Sequence, residues 1–162
     1  MRQIPSEPCS CSALRQASRH VTRLYDEALA PAGLGLNQYA ILANLQRLGA
    51  STIQVLAKHL VMDRSTLGHL LRPLESRGLL SIKSAAGDRR ARLVELTAPG
   101  LMLMEQARPL WARAQRHFEN VYGSTNASGL RAALKQVIAA DLSLPSVSTV
   151  PIESPAAGGG QS

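Results

Sequence analysis

The sequence predicts a mainly α-helical fold that carries one small β-hairpin. Three observations point to it. Apolar residues recur at three- and four-residue spacing through most of the 162 residues. Only two runs, LLSIK at 79–83 and RLVELT at 92–97, read as strands. Capping residues, glycines and prolines cut the middle of the chain into short helices and leave long ones toward both ends.

Taken in order, residues 1–11 are polar and Pro-containing, the composition of a flexible arm. From Ser12 to Ala30, Leu14, Ala17, Val21, Leu24 and Ala28 form one stripe of an amphipathic helix. Arg15, Arg19, Arg23 and Glu27 occupy another face, and Pro31 and Gly33 end the helix. NQYAILANLQRL makes a second helix, stopped by Gly49. Ser51 and Gln54 have capping-box spacing and open a short third helix through about Leu60.

Val61 and Met62 make a tight turn, and Asp63 caps a fourth helix that turns Leu67, Leu70, Leu71 and Leu74 inward and ends at Gly78. The two strands flank SAAGDRRA, with Gly87 bending the hairpin tip. Thr97 caps a long helix over about 98–123, striped by Leu103, Ala107, Leu110, Ala114, Phe118 and Val121 and kinked at Pro109. Ser128 precedes a last helix carrying Leu130, Leu134, Val137 and Ile138. From Pro145 the chain is rich in Pro, Ser and Gly, so 143–162 reads as a disordered tail.

Two short helices, a turn and a hairpin make a winged helix-turn-helix over residues 36–97. The apolar stripes of 12–35 and 98–142 exceed what that small core can cover. Their cheapest burial is against each other and against a second copy, so these segments are expected to form the dimerisation region of a homodimer.

Composition narrows the partner. The net charge of +7 favours a polyanion, and arginine outnumbers lysine, which suits phosphate and base recognition. Aromatics are 3%, too few for a platform that stacks single-stranded bases. Double-stranded DNA is the partner that fits. The fourth helix opens with Asp63-Arg64-Ser65-Thr66, small polar and basic groups suited to base edges in a major groove. Arg64 suits guanine or phosphate, Ser65 and Thr66 suit either, and His69 and Arg72 continue the outward face, with Arg72 toward phosphate. Asp63 reads as a cap only. Arg89, Arg90 and Arg92 lie at or beside the hairpin tip, where arginines enter narrow minor grooves, and Asp88 is placed to orient one of them.

LAKHLVMDRSTLGHLLRPLESRGLL followed by DRRARLVELTAPG resembles the MarR family of dimeric bacterial transcription regulators, and the likeness extends over about residues 12–141. Its most specific parts are the D-x-R wing at Asp88-Arg89-Arg90 and LT-x-x-G from Leu96 to Gly100. The resemblance implies a homodimer that binds a palindromic operator, usually as a repressor, and leaves DNA when a small, often aromatic, acid or an oxidant acts on it. It makes Arg90 the minor-groove arginine and Asp88 its buttress.

The same resemblance locates two switches. Similarity to the organic hydroperoxide-sensing branch puts Cys11 at the reactive-cysteine position, with Tyr25 matching one phenol that bonds the thiolate across the dimer. The other phenol positions hold Arg15 and Leu36 here, a departure from that branch. A thiolate is favoured at a helix N-terminus beside Arg15, and Cys9 offers a second thiol. In the ligand-controlled reading, Tyr25, Tyr39 and Trp111 line a pocket between the dimer helices and the reader, where Arg15 or Arg19 holds a ligand's carboxylate; the alternative for these aromatics is plain core. The first reading is a regulator released by a small ligand, and the alternative is a redox-sensing repressor using Cys11.

Other classes fit less of the chain. A thiol enzyme would need a base or resolving partner converging on Cys11, and none is visible. His20, His59, His69 and His117 are scattered, which argues against a metal, and no cofactor motif occurs. No run is long enough to span a bilayer and no signal peptide is evident, so a cytoplasmic protein without a membrane partner is expected.

Overall fold

The computed structural model describes residues 9–85 and 88–143, with only the backbone described at 85 and 88–90. Residues 1–8 of the expected arm, the bend at Gly87 and residues 144–162 of the expected tail lie outside the described residues. The chain divides into two units, one ending at Gly123 and one beginning at Ser124.

The first unit begins with α1, Ser10–Leu29, and a 3-10 turn at Ala30–Ala32. Next come α2 (Leu36–Leu48), β1 (Ser51–Thr52), α3 (Ile53–Leu60) and α4 (Arg64–Ser76). The hairpin strands are β2 (Leu80–Ala85) and β3 (Asp88–Leu96), and α5 (Ala98–Tyr122) closes the unit. The strands form one antiparallel sheet in the order β1-β3-β2. Leu80 opposes Leu96 and Ile82 opposes Val94, with a register shift between Ser84 and Ala85.

The core sits where α2, α3, α4 and α5 meet this sheet. Leu42, Leu56, Leu67, Leu71, Leu74 and Val94 are completely buried there. Each inward leucine of α4 lies three or four residues from the next, the spacing that keeps side chains on one helical face. Leu70, expected inward with them, is only half-buried. The second unit contributes α6, Ser124–Ala139.

Three expected boundaries move. The first helix starts at Ser10, so Cys11 belongs to α1 and not to an arm. Ser51 does not cap the third helix. It pairs with Val94 in β1 and its hydroxyl donates to the Gly49 carbonyl, leaving Thr52 to accept from the Val55 amide at 3.3 Å. The last helix begins four residues before the expected Ser128, at Ser124. Asp63 and Thr97 cap α4 and α5 as expected.

The turn between α3 and α4 is a Schellman motif. The Met62 amide donates to the Ala57 carbonyl at 2.9 Å, and Val61 adopts the left-handed conformation at φ 52°. A β-branched residue is a poor occupant of that region, and Val61 is 70% exposed, so packing compensates little. Val61→Gly is expected to raise stability by about 1 kcal/mol, allowing for the greater freedom of glycine in the unfolded chain. A urea midpoint unchanged or lowered by the substitution contradicts this.

Candidate nucleic-acid interface

Helix α4 has two faces of opposite character. Leu67, Leu71 and Leu74 are fully buried, while Arg64, Ser65, Thr66, His69 and Arg72 are all exposed. Ser65, His69 and Arg72 follow a four-then-three spacing, one stripe of the outer face. The helix runs on through Pro73, whose ring removes one backbone donor near its end.

The N-terminal turn is tightly organised. Asp63 Oδ1 accepts from the Thr66 amide at 2.8 Å, and the Thr66 hydroxyl donates to Asp63 Oδ2 at 2.6 Å. These bonds, the hydroxyl's first, hold the Asp63 carboxyl below its ordinary value of 3.8. A depressed native value means the cap stabilises fully above the unfolded value and is lost as pH falls through the native one.

Strand β3 brings the backbone of Asp88, Arg89 and Arg90 to the far end of the hairpin, with Ala85 opposite Asp88. Their side chains are outside what is described. Arg92 lies further along β3, opposite Ser84, and is exposed. Lower in the hairpin Lys83 pairs with Glu95 across the strands, and this keeps the Glu95 carboxyl low.

The LT-x-x-G segment joins the hairpin to α5. The Thr97 amide donates to the Leu79 carbonyl at 3.2 Å, and its hydroxyl donates to the Gly78 carbonyl while accepting from the Gly100 amide. A side chain at Gly100 would put its Cβ 2.0 Å from the Leu79 carbonyl oxygen. Glycine is therefore required for α5 to start against the residues that follow α4.

Arg77 and Asp26 were missed in the sequence. Arg77, just past α4, donates to the Gly33 carbonyl at 2.8 Å, and Asp26 of α1 accepts from the Leu36 amide at 2.7 Å. Together they fasten the entry of α2 to α1 on one side and to α4 on the other. Neither has a local signature, because Arg77 reaches across 44 residues.

Of the residues expected to line a ligand pocket, Tyr25, Tyr39 and Trp111 fall in two adjoining clusters that share Trp111. Tyr39 and Trp111 stack at 6.0 Å, and burial pushes the Tyr39 hydroxyl up. Tyr25 is buried in a neighbouring cluster with Ala28 and Ala114, against which Trp111 also packs, and its hydroxyl donates to Gln115 at 2.6 Å. Arg15 and Arg19 lie instead on the exposed first half of α1. The aromatics are packed as core, and the cations stand apart from them. A groove of about 430 Å³ opens elsewhere, between α1 and the end of α5, lined by His20, Arg23, Leu24, Phe118 and Val121 among others.

Cys9 precedes α1 at its N-cap position and Cys11 lies in the first turn; both are exposed thiols. Tyr25 is fourteen residues further along the same helix, about 21 Å at 1.5 Å per residue. Within one protomer it cannot reach Cys11. Among the described residues no helix is long and apolar enough to cross a membrane.

Residues 32–91 match the MarR family profile. The chain is 31% identical over 121 residues to the HTH-type transcriptional repressor NicR of Pseudomonas putida, an alignment covering 75% of this chain and 74% of NicR. The chain belongs to the MarR family. This MarR-family chain is also 31% identical over 97 residues to the organic hydroperoxide resistance transcriptional regulator of Bacillus subtilis, covering 60% of this chain and 66% of that relative. Among solved structures it is similar to the M. tuberculosis transcriptional regulator MosR in complex with DNA. That match has a TM-score of 0.68 and 30% identity, covering 80% of this chain and 98% of MosR. These three relatives are transcriptional regulators.

Proposed function

We propose that this protein is a homodimeric transcriptional regulator, acting as a repressor, that binds double-stranded DNA at a two-fold operator and performs no catalysis. One observation carries the reading: α4 packs completely on its leucine face while Arg64, Ser65, Thr66, His69 and Arg72 stand exposed on the other. Such a helix fits a major groove. The wing then reaches the flanking minor groove through Arg90, oriented by Asp88, with Arg89 and Arg92 toward phosphate.

Dimerisation falls to residues 12–35 and 98–142. Leu14 on α1 and Val121 on α5 are 41% and 75% exposed, and Val137 and Ile138 on α6 are exposed as well. Four apolar side chains in open water on three helices support a second copy as their cover. In the first reading a small ligand releases the DNA, as the family resemblance implies. Likeness to the Bacillus regulator favours a second reading, in which oxidation of Cys11 releases DNA.

Titration of labelled duplex by anisotropy at rising salt tests the function. Roughly six to ten phosphate contacts lower affinity by about 10³ to 10⁵ between 50 and 200 mM salt. A flat salt response contradicts DNA binding. Repeating the titration with an organic hydroperoxide separates the two controls: the oxidant reading expects release from wild type but not from Cys11→Ser. Equal behaviour of the two proteins removes it.

A further inference from the structure

Thr66 faces outward with its only hydroxyl proton already committed. Its hydroxyl donates to Asp63 Oδ2 at 2.6 Å and its amide to Asp63 Oδ1 at 2.8 Å, and both residues are exposed. An ionised carboxylate only accepts hydrogen bonds, and a hydroxyl has a single proton to give. Anything that approaches the Asp63–Thr66 pair itself from solvent therefore meets lone pairs and negative charge. Because Asp63 is held below its ordinary value, the arrangement persists at neutral pH.

On DNA that polarity discriminates. Phosphate oxygens, guanine O6 and N7, adenine N7 and thymine O4 are all acceptors and gain nothing from the pair. The only major-groove donors are the amino groups of adenine N6 and cytosine N4. We propose that Thr66, with its hydroxyl oriented by Asp63, is a specificity-determining residue that selects adenine or cytosine over guanine or thymine at one position of each half-site. The inference rests on α4 being the base-reading helix. Arg64, the neighbouring residue, has the opposite character, since a guanidinium only donates and suits guanine or phosphate. The first turn of α4 thus presents an acceptor pair beside a donor.

The test is selection from a pool of duplex oligonucleotides with a randomised core, using wild type, Thr66→Val and Asp63→Asn, each checked for an unchanged circular dichroism melt. Wild type is expected to enrich A or C over G or T by about tenfold at one symmetric position per half-site. Thr66→Val should bring that preference to within about twofold of even and leave other positions alone. In Asp63→Asn the carboxamide oxygen still accepts from the Thr66 amide, so the helix stays capped. The carboxamide nitrogen, however, donates to the Thr66 oxygen and turns the hydroxyl proton outward. The preferred bases at that position should then move toward G or T. Base preferences in Thr66→Val identical to wild type at every position overturn the proposal, as does an Asp63→Asn profile that does not move. If wild type enriches no sequence, the reading of α4 as a base-contacting helix falls, and the Thr66 assignment falls with it.

Discussion

Gly100→Ala is expected to lower stability by about 3 kcal/mol, near the upper end for an overpacked site. The methyl carbon would sit 2.0 Å from the Leu79 carbonyl oxygen and 3.0 Å from its carbon, both backbone atoms that cannot swing aside. Relief requires α5 to move off the residues following α4. That movement also pulls on the Thr97 bonds to Gly78 and Leu79. In a domain of this size such a loss lowers the melting midpoint by roughly 10 °C. The damage should extend to DNA binding, because the same junction sets the hairpin against α4. A Gly100→Ala protein that melts with wild type means the close approach is not a feature of the molecule in solution.

Arg90→Ala is the second large effect, and it should spare the fold. A charge-assisted hydrogen bond contributes roughly 1.5 kcal/mol or more. A dimer presents two wings, so the loss is about 3 kcal/mol, or about a hundredfold in affinity at roughly 1.4 kcal/mol per tenfold. Asp88→Ala should weaken binding less, since it disturbs the orientation of the arginine without removing its charge. Fluorescence anisotropy at fixed physiological salt, with sedimentation to confirm the dimer, checks both. Affinity within twofold of wild type for Arg90→Ala removes the wing from the interface.

Much of this architecture is legible in the sequence because its signals are local. Asp63 and Thr97 stand where a side-chain oxygen must accept an orphan amide, and both do. Leu67, Leu71 and Leu74 keep the helical period, so the opposite face of α4 and its polar residues follow directly. The failures are tertiary. Ser51 has good cap chemistry and correct spacing, yet pairing with Val94 of β3 draws it into the sheet and hands the cap to Thr52. Nothing within a few residues of Ser51 announces a partner strand so distant in the chain. The same holds for Arg77 reaching Gly33.

The glycine of the LT-x-x-G segment shows the reverse case. Its spacing is visible as a motif, but its cause is not. Only the distance to the Leu79 carbonyl explains why no other residue serves there. Sequence pattern and structural reason meet at that position, and it links the DNA-reading half of the protein to the long helix that follows.

Hydroxyl-radical footprinting on a duplex selected by the wild-type protein tests the central claim most directly. Two α4 helices related by a two-fold axis should protect two patches about one helical turn apart, roughly 10 to 10.5 base pairs centre to centre or a multiple of it, with flanking minor-groove protection that vanishes in Arg90→Ala. A single patch without symmetry, or protection indifferent to Arg90, contradicts a dimer that reads DNA with α4 and the wing.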